Sequence, residues 1–122
     1  MERNNIDEYL ERGIHGAKET KPDERRYYLT TLRERIEIAL KKGQVMKAQP
    51  YEQVVSKIKN VQDGQLFLNG TISYSHLSKY IQVANAHNVP FTIVQNLEAD
   101  TDIGLVLTGS QGSEDIDIFI ED

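Results

Sequence analysis

The stretch "RERIEIALKKG", residues 33 to 43, decides the fold because it admits two readings. Ile36, Ile38 and Leu40 alternate as in a strand, whereas the arginines, glutamates and lysines around them suit a solvated helix. In a helix only residues three or four apart share a face, so these three could not all line one side of the cylinder. In a strand they line one face, with Arg35, Glu37, Ala39 and Lys41 on the other and Gly43 as the stop. The alternation predicts a strand over Arg33 to Leu40, with Ile36, Ile38 and Leu40 buried together.

Working outward, the period changes. Tyr51, Val54, Val55 and Ile58 share one helical face, which predicts a helix over Pro50 to Asn60. Asp63-Gly64 turns the chain into a short apolar strand, Gln65 to Leu68. A second helix is predicted from Tyr74 to His87, with Leu77, Tyr80, Ile81 and Ala84 inward and Ser73 as N-cap. Asn88-Val89-Pro90 stops it, since Asn tolerates the left-handed cap and Pro cannot continue a helix. Pro90 to Gln95 and Ile103 to Thr108 read as buried strands, being nearly continuous apolar runs. Towards the start, Pro22 suits a first helical turn, and Asn5 to Gly13 reads as a short capped helix.

The order predicts an α/β (α+β) sandwich with a β-α-β-α-β-β core, a four-stranded mixed sheet and two main helices. The reading is one domain over residues 1–122. Residues 1–32 form an N-terminal helical extension, 33–110 the core, and 111–122 an acidic edge strand or tail, whose residues 113–122 should be dispensable for folding.

A chain of 122 residues can bury about two-thirds of its unfolded surface, enough for an unstapled core. It has no cysteine, which excludes disulfides and thiolate metal sites and fits a reducing cytoplasm. No apolar run approaches the roughly 20 residues of a membrane span, and the polar start is no secretion signal. The net charge of −5 is split: residues 1–61 carry 13 Lys+Arg against 10 Asp+Glu, residues 62–122 carry 1 against 9. That layout implies a bipolar surface or mutual neutralisation rather than a uniform nucleic-acid binder.

Three stretches carry a family resemblance: "KPDERRYYLTTLRERIEIALKKGQV", "NGTISYSHLSKYIQVANAHNVPFTIVQN" and "TDIGLVL". They resemble the YueI-like family of small, uncharacterised proteins of Gram-positive bacteria, over about residues 6 to 108. The resemblance implies a fold similar to the Bacillus chorismate mutase-like and ribosomal L30e-like sandwiches, and no activity. Kink-turn RNA-binding proteins of similar fold use a Gly-x-Asn-Glu-x-x-Lys stretch; here "GQVMKAQPYEQ" keeps Gly43 without the Asn-Glu pair. Shared fold does not carry shared function, so that mode of RNA binding is not implied.

Two places could bind an anion. Arg33 and Arg35 offer guanidinium forks that suit phosphate or carboxylate, extended by Arg25, Arg26 and the lysines, with Tyr27 and Tyr28 as stacking surfaces. An ion-pair ladder with Glu34 explains the same residues without a ligand. "NGTISYS", residues 69–75, leaves the carboxyl end of a strand and enters a helix, where ligands of open sheets gather. Gly70 would let backbone approach closely, Asn69 and Thr71 would bond at the rim, and Ser73 would cap the helix. An ordinary serine-capped loop is the plainer alternative.

The three histidines lack metal-ligand spacing, and "SEDIDIFIED" lacks the glycine turn of a calcium loop, so no metal or cofactor is expected. No catalytic residue can be assigned from spacing. The sequence therefore supports a non-catalytic binding module for an anionic small molecule or RNA. The alternatives are a small enzyme with an inter-subunit site, as a homo-oligomer, and an adaptor using the acidic edge.

Overall fold

The computed structural model describes residues 22–95, 101–110 and 117–121. In chain order these give α1 (Pro22–Tyr27), a 3₁₀ turn (Arg33–Arg35), β1 (Ile36–Lys41), α2 (Lys42–Val45), α3 (Glu52–Asn60), β2 (Gln65–Asn69), α4 (Tyr74–Ala86), β3 (Phe91–Val94) and β4 (Ile103–Thr108). The helix expected over Asn5 to Gly13 lies outside the described residues. The four strands form one mixed sheet in the order β1-β4-β2-β3. β2 and β3 run parallel, and β4 is antiparallel to both its neighbours.

One face of the sheet is covered by the two main helices. Val54 and Ile58 of α3 and Leu77, Tyr80, Ile81 and Ala84 of α4 pack on Ile38, Leu40, Leu66, Leu68, Leu105 and Leu107. Each valine, leucine or isoleucine among them contributes roughly 1.5–3 kcal/mol when fully removed from water. The opposite face gathers Tyr28, Leu29, Ile36, Ala39, Val94, Ile103, Val106 and Ile118. Asn88 takes the left-handed conformation (φ 60°) that ends α4, as its position after the helix predicts.

The opening stretch is a strand, with two corrections. Arg33 to Arg35 form a 3₁₀ turn, because the Arg35 N–H turns back to Leu32 O at 2.9 Å and the Arg33 N–H is taken by the Glu24 carboxylate at 2.9 Å. Ile36 is buried, but not with Ile38 and Leu40. Between Ile36 and Ile38 the register slips by one residue, as Ile36 faces Thr108 while Ile38 faces Leu107. A bulge of this kind reverses the alternation, so Ile36 joins the second cluster and Ile38 and Leu40 the first. Five consecutive residues, Ile36 to Leu40, are consequently buried, Glu37 among them.

A second slip, between Leu40 and Lys41, leaves Gly104 as the extra residue of β4. A Cβ there would lie 2.8 Å from Val45 Cγ2 and 2.9 Å from Lys42 Cα. The missing side chain thus lets α2 sit directly on β4. Of the two apolar runs expected as buried strands, only β4 is interior. β3 is an edge strand whose Phe91 and Ile93 are half-buried, because the crossover through α4 returns the chain beyond β2.

Residues 117–121 of the acidic C-terminal stretch pack against the core. Ile118 is 2% exposed within the second cluster, its carbonyl accepts the Ala39 N–H at 2.8 Å, and Ile120 packs against the first cluster. Ile118 and Ile120 thus hold the described C-terminal residues in the fold.

Candidate anion-binding site

The carboxyl end of β2 is fixed by one buried side chain. Asn69 is fully buried, and its Nδ2 donates to Ile103 O at 2.9 Å across to the start of β4. Its Oδ1 accepts two bonds from Thr71, the backbone N–H at 2.9 Å and the hydroxyl at 2.7 Å. This is an Asx-type turn, in which a short amide replaces a backbone partner. Asn69 is therefore an internal brace and not the rim donor expected from sequence. Gly70 N–H donates to Val94 O at 2.9 Å, and a Cβ on Gly70 would lie 2.7 Å from that same oxygen. The close approach expected of Gly70 is made to β3.

Beyond this turn Ile72 is buried, while Thr71, Ser73, Tyr74 and Ser75 are exposed. Ser73 occupies the N-cap position with extended backbone (φ −63°, ψ 148°), but its hydroxyl caps nothing and lies 3.1 Å from Ser75 Oγ. The first turn of a 13-residue helix therefore reaches the surface with hydroxyls beside its amino end, where the helix dipole favours negative charge.

Lys79 sits a turn further along. Its ammonium donates to Val45 O at 2.7 Å and His76 O at 2.6 Å and lies 5.2 Å from the Tyr80 ring centre. Burial lowers its pKa. It clamps α2 to α4 and adds positive charge behind the helix start.

Arg33 and Arg35 lie at the other end of the sheet. The Arg35 carbonyl accepts the Gly109 N–H, and both Ile36 and Gln65 pair with Thr108, so the arginines flank the beginning of β2. Asn69 is four residues further on, roughly 13 Å along the strand. The structure brings Asn69, Gly70, Thr71 and Ser73 together and leaves Arg33 and Arg35 apart from them. Of the tyrosines beside the arginines, Tyr28 is buried, and Tyr27 meets it edge-to-face at 4.8 Å.

Glu37, Thr101 and Gln44 are among the buried polar residues that the sequence does not mark as inward-facing. Glu37 lies at the bulge, 3.8 Å from Lys57 Nζ, and only the register of β4 reveals that it points inward. Thr101 bonds Tyr27 O at 2.8 Å and accepts the Ile103 N–H at 3.2 Å. Gln44 accepts the Lys41 N–H at 2.8 Å and donates to Ile120 O at 2.8 Å. Because the N-cap is Lys41 and not Ser, Thr, Asp or Asn, no capping-box signal marks Gln44 in the sequence. Among the described residues no three His, Asp or Glu side chains converge on a metal-sized site, and no helix is long and apolar enough to cross a membrane. An open depression of about 560 Å³ is lined by Glu52, Gln53, Ser56, Lys57 and Asn60. All five belong to α3, and none belongs to either candidate site.

Comparison with known proteins adds three findings. The family model described as a protein of unknown function (DUF1694) matches residues 3–118. The uncharacterized protein YueI of Bacillus subtilis (strain 168) is 40% identical over 122 residues, covering 100% of this chain and 92% of that protein. The crystal structure of the YueI protein from Bacillus subtilis superposes with a TM-score of 0.81, covering 98% of this chain and 94% of that one.

Proposed function

Because the chain belongs to the family of proteins of unknown function DUF1694, whose name supplies no chemistry, we propose from its own geometry that it is a non-catalytic binding module for a small anion. The anion docks at the start of α4, against Thr71, Ser73 and the first helical N–H groups. The carrying observation is the Asn69 brace: one fully buried amide makes three hydrogen bonds that hold the turn, while the hydroxyls beyond it stay exposed. A preformed turn spares the cost of ordering a loop on binding.

A small phosphate- or carboxylate-bearing molecule suits this end better than RNA. Nucleic acid requires several cations along its backbone, and here Lys79 is engaged with Val45 and His76 carbonyls. The arginine end supports RNA no better, its tyrosines being packed against each other.

The test is equilibrium binding of inorganic phosphate and a nucleoside monophosphate to three forms of the protein. Gly70→Val, which displaces the turn from Val94 O, should weaken binding about tenfold, equivalent to roughly 1.4 kcal/mol. Arg33→Gln/Arg35→Gln should change it less than about twofold, less than half that energy. The reverse order would move the site to the arginines, and no binding by the wild type would remove it.

A further inference from the structure

β1 lies at an edge of the sheet, and the described C-terminal residues run along its outer side. The Ala39 N–H, facing away from β4, donates to Ile118 O at 2.8 Å, and Phe119 bridges Ala39 in parallel fashion. Gln44 Nε2 donates to Ile120 O at 2.8 Å, and the Lys41 ammonium lies 5.1 Å from the Phe119 ring centre. The Ile118 side chain, 2% exposed, fills a socket among Ile36, Ala39 and their neighbours. Main-chain bonds on a sheet edge with a pocket for an alternate side chain are the means by which an edge binds an extended peptide. Among the described residues the pairing is one isolated bridge, not a ladder.

We propose that the outer edge of β1 is a β-addition site, filled by residues 117–121 of the same chain and exchangeable for that segment of a second copy. The second copy is the occupant the observations favour. The Ala39 N–H, the Ile118 socket and the Gln44 amide already fit this sequence, and every copy carries it. Charge agrees: the segment carries Asp117 and Glu121, and Lys41 and Lys42 stand at the end of β1. Tethering favours closure within one chain at low concentration, so exchange grows with concentration, as in domain swapping.

The experiment uses the full chain and a fluorescent synthetic peptide of residues 113–122. Ile118→Asp expels the chain's own segment, because an unpaired charge is not tolerated in an apolar socket. This variant should bind the peptide at least about tenfold more tightly than wild type, whose site is occupied. Adding Gln44→Glu keeps the acceptor for the Lys41 N–H but removes the donor to Ile120 O, and should weaken peptide binding about tenfold. Sizing the wild type from about 1 μM to about 1 mM should reveal a dimer that Ile118→Asp lacks. Equal peptide binding by both forms, or by neither, overturns the addition site. A wild type monomeric throughout overturns exchange with a second copy. Should Ile118→Asp not fold, Gln44→Glu alone decides through hydrogen exchange. The Ala39 amide should exchange about tenfold faster while Ile38 and Leu40, paired with β4, stay slow; no change, or equal acceleration of all three, overturns the proposal.

Discussion

Asn69 shows how one side chain can hold the end of a strand. Its amide joins β2 to the first residue of β4, and its carbonyl oxygen ties down the turn that leads into α4. Asn69→Ala would leave the Ile103 carbonyl and the Thr71 N–H short of partners, and should cost about 2–4 kcal/mol in denaturant unfolding. The sequence placed this asparagine at the correct turn but at its rim. Nothing in "LNGT" tells which way an amide points; the Ile103 carbonyl that captures it comes from 34 residues away. Tyr80 is a second such brace, its hydroxyl accepting the Tyr51 N–H at 2.9 Å at the start of α3. Its inward position follows from helical spacing with Leu77, Ile81 and Ala84, whereas its bond to α3 does not.

Burial raises the pKa of Tyr80, and burial together with the nearby Asp102 raises that of Tyr27. A raised folded-state value means the folded form holds its proton after the unfolded chain has released it. The stability tied to these phenols is therefore complete below their ordinary value of 10.0 and is lost as pH climbs above it. Lys79 acts in the opposite sense, since its folded pKa is lowered and it favours folding as pH rises. Two phenols against one partly exposed amine should leave a net decline in melting temperature above about pH 10. Tyr80→Phe should lower stability at neutral pH by about 1 kcal/mol through the lost bond and make the alkaline decline shallower. An unchanged alkaline slope would remove Tyr80 from the explanation.

At the scale of elements, β1 shows what alternation can and cannot reveal. A strand at Ile36 to Leu40 was legible, because no helix collects those three residues. The bulge was not, because it exists only in the register against β4, which no pattern within β1 encodes. Glu37 therefore seemed a surface residue and is buried. Ile38→Asp should destabilise by several kcal/mol, since it places an unpaired charge among Leu40, Leu66 and Leu107. The helices were read well because both carry a continuous 3.6-residue stripe and α4 ends on a left-handed Asn. The C-terminal segment could be read only as an edge strand or a tail; its described acids, Asp117 and Glu121, are exposed, and Ile118 anchors it beside β1. Ile118→Ala should cost about 2–4 kcal/mol, lowering the melting temperature by about 4 °C for each. A shift under about 2 °C would restore the view of a loose tail.

Across the whole molecule, the first half of the chain gives the sheet one strand, β1, and the acidic half gives the other three. β1 is flanked by the acidic half on both sides, by β4 and by the C-terminal segment that returns to its outer edge. The charge division of the sequence thus does not become two separate layers. What the topology does separate is the pair of candidate anion sites, at opposite ends of β2. The sequence offered both and had no means of measuring the distance between them, because the arginines and the "NGTISYS" turn meet the same sheet from different strands. That separation makes the central claim testable in one measurement, the map of backbone amide shifts as inorganic phosphate is titrated into the protein. Saturable shifts centred on residues 69–75 and absent in Gly70→Val are expected; shifts centred on Arg25 to Arg35, or none anywhere, would contradict a site at the start of α4.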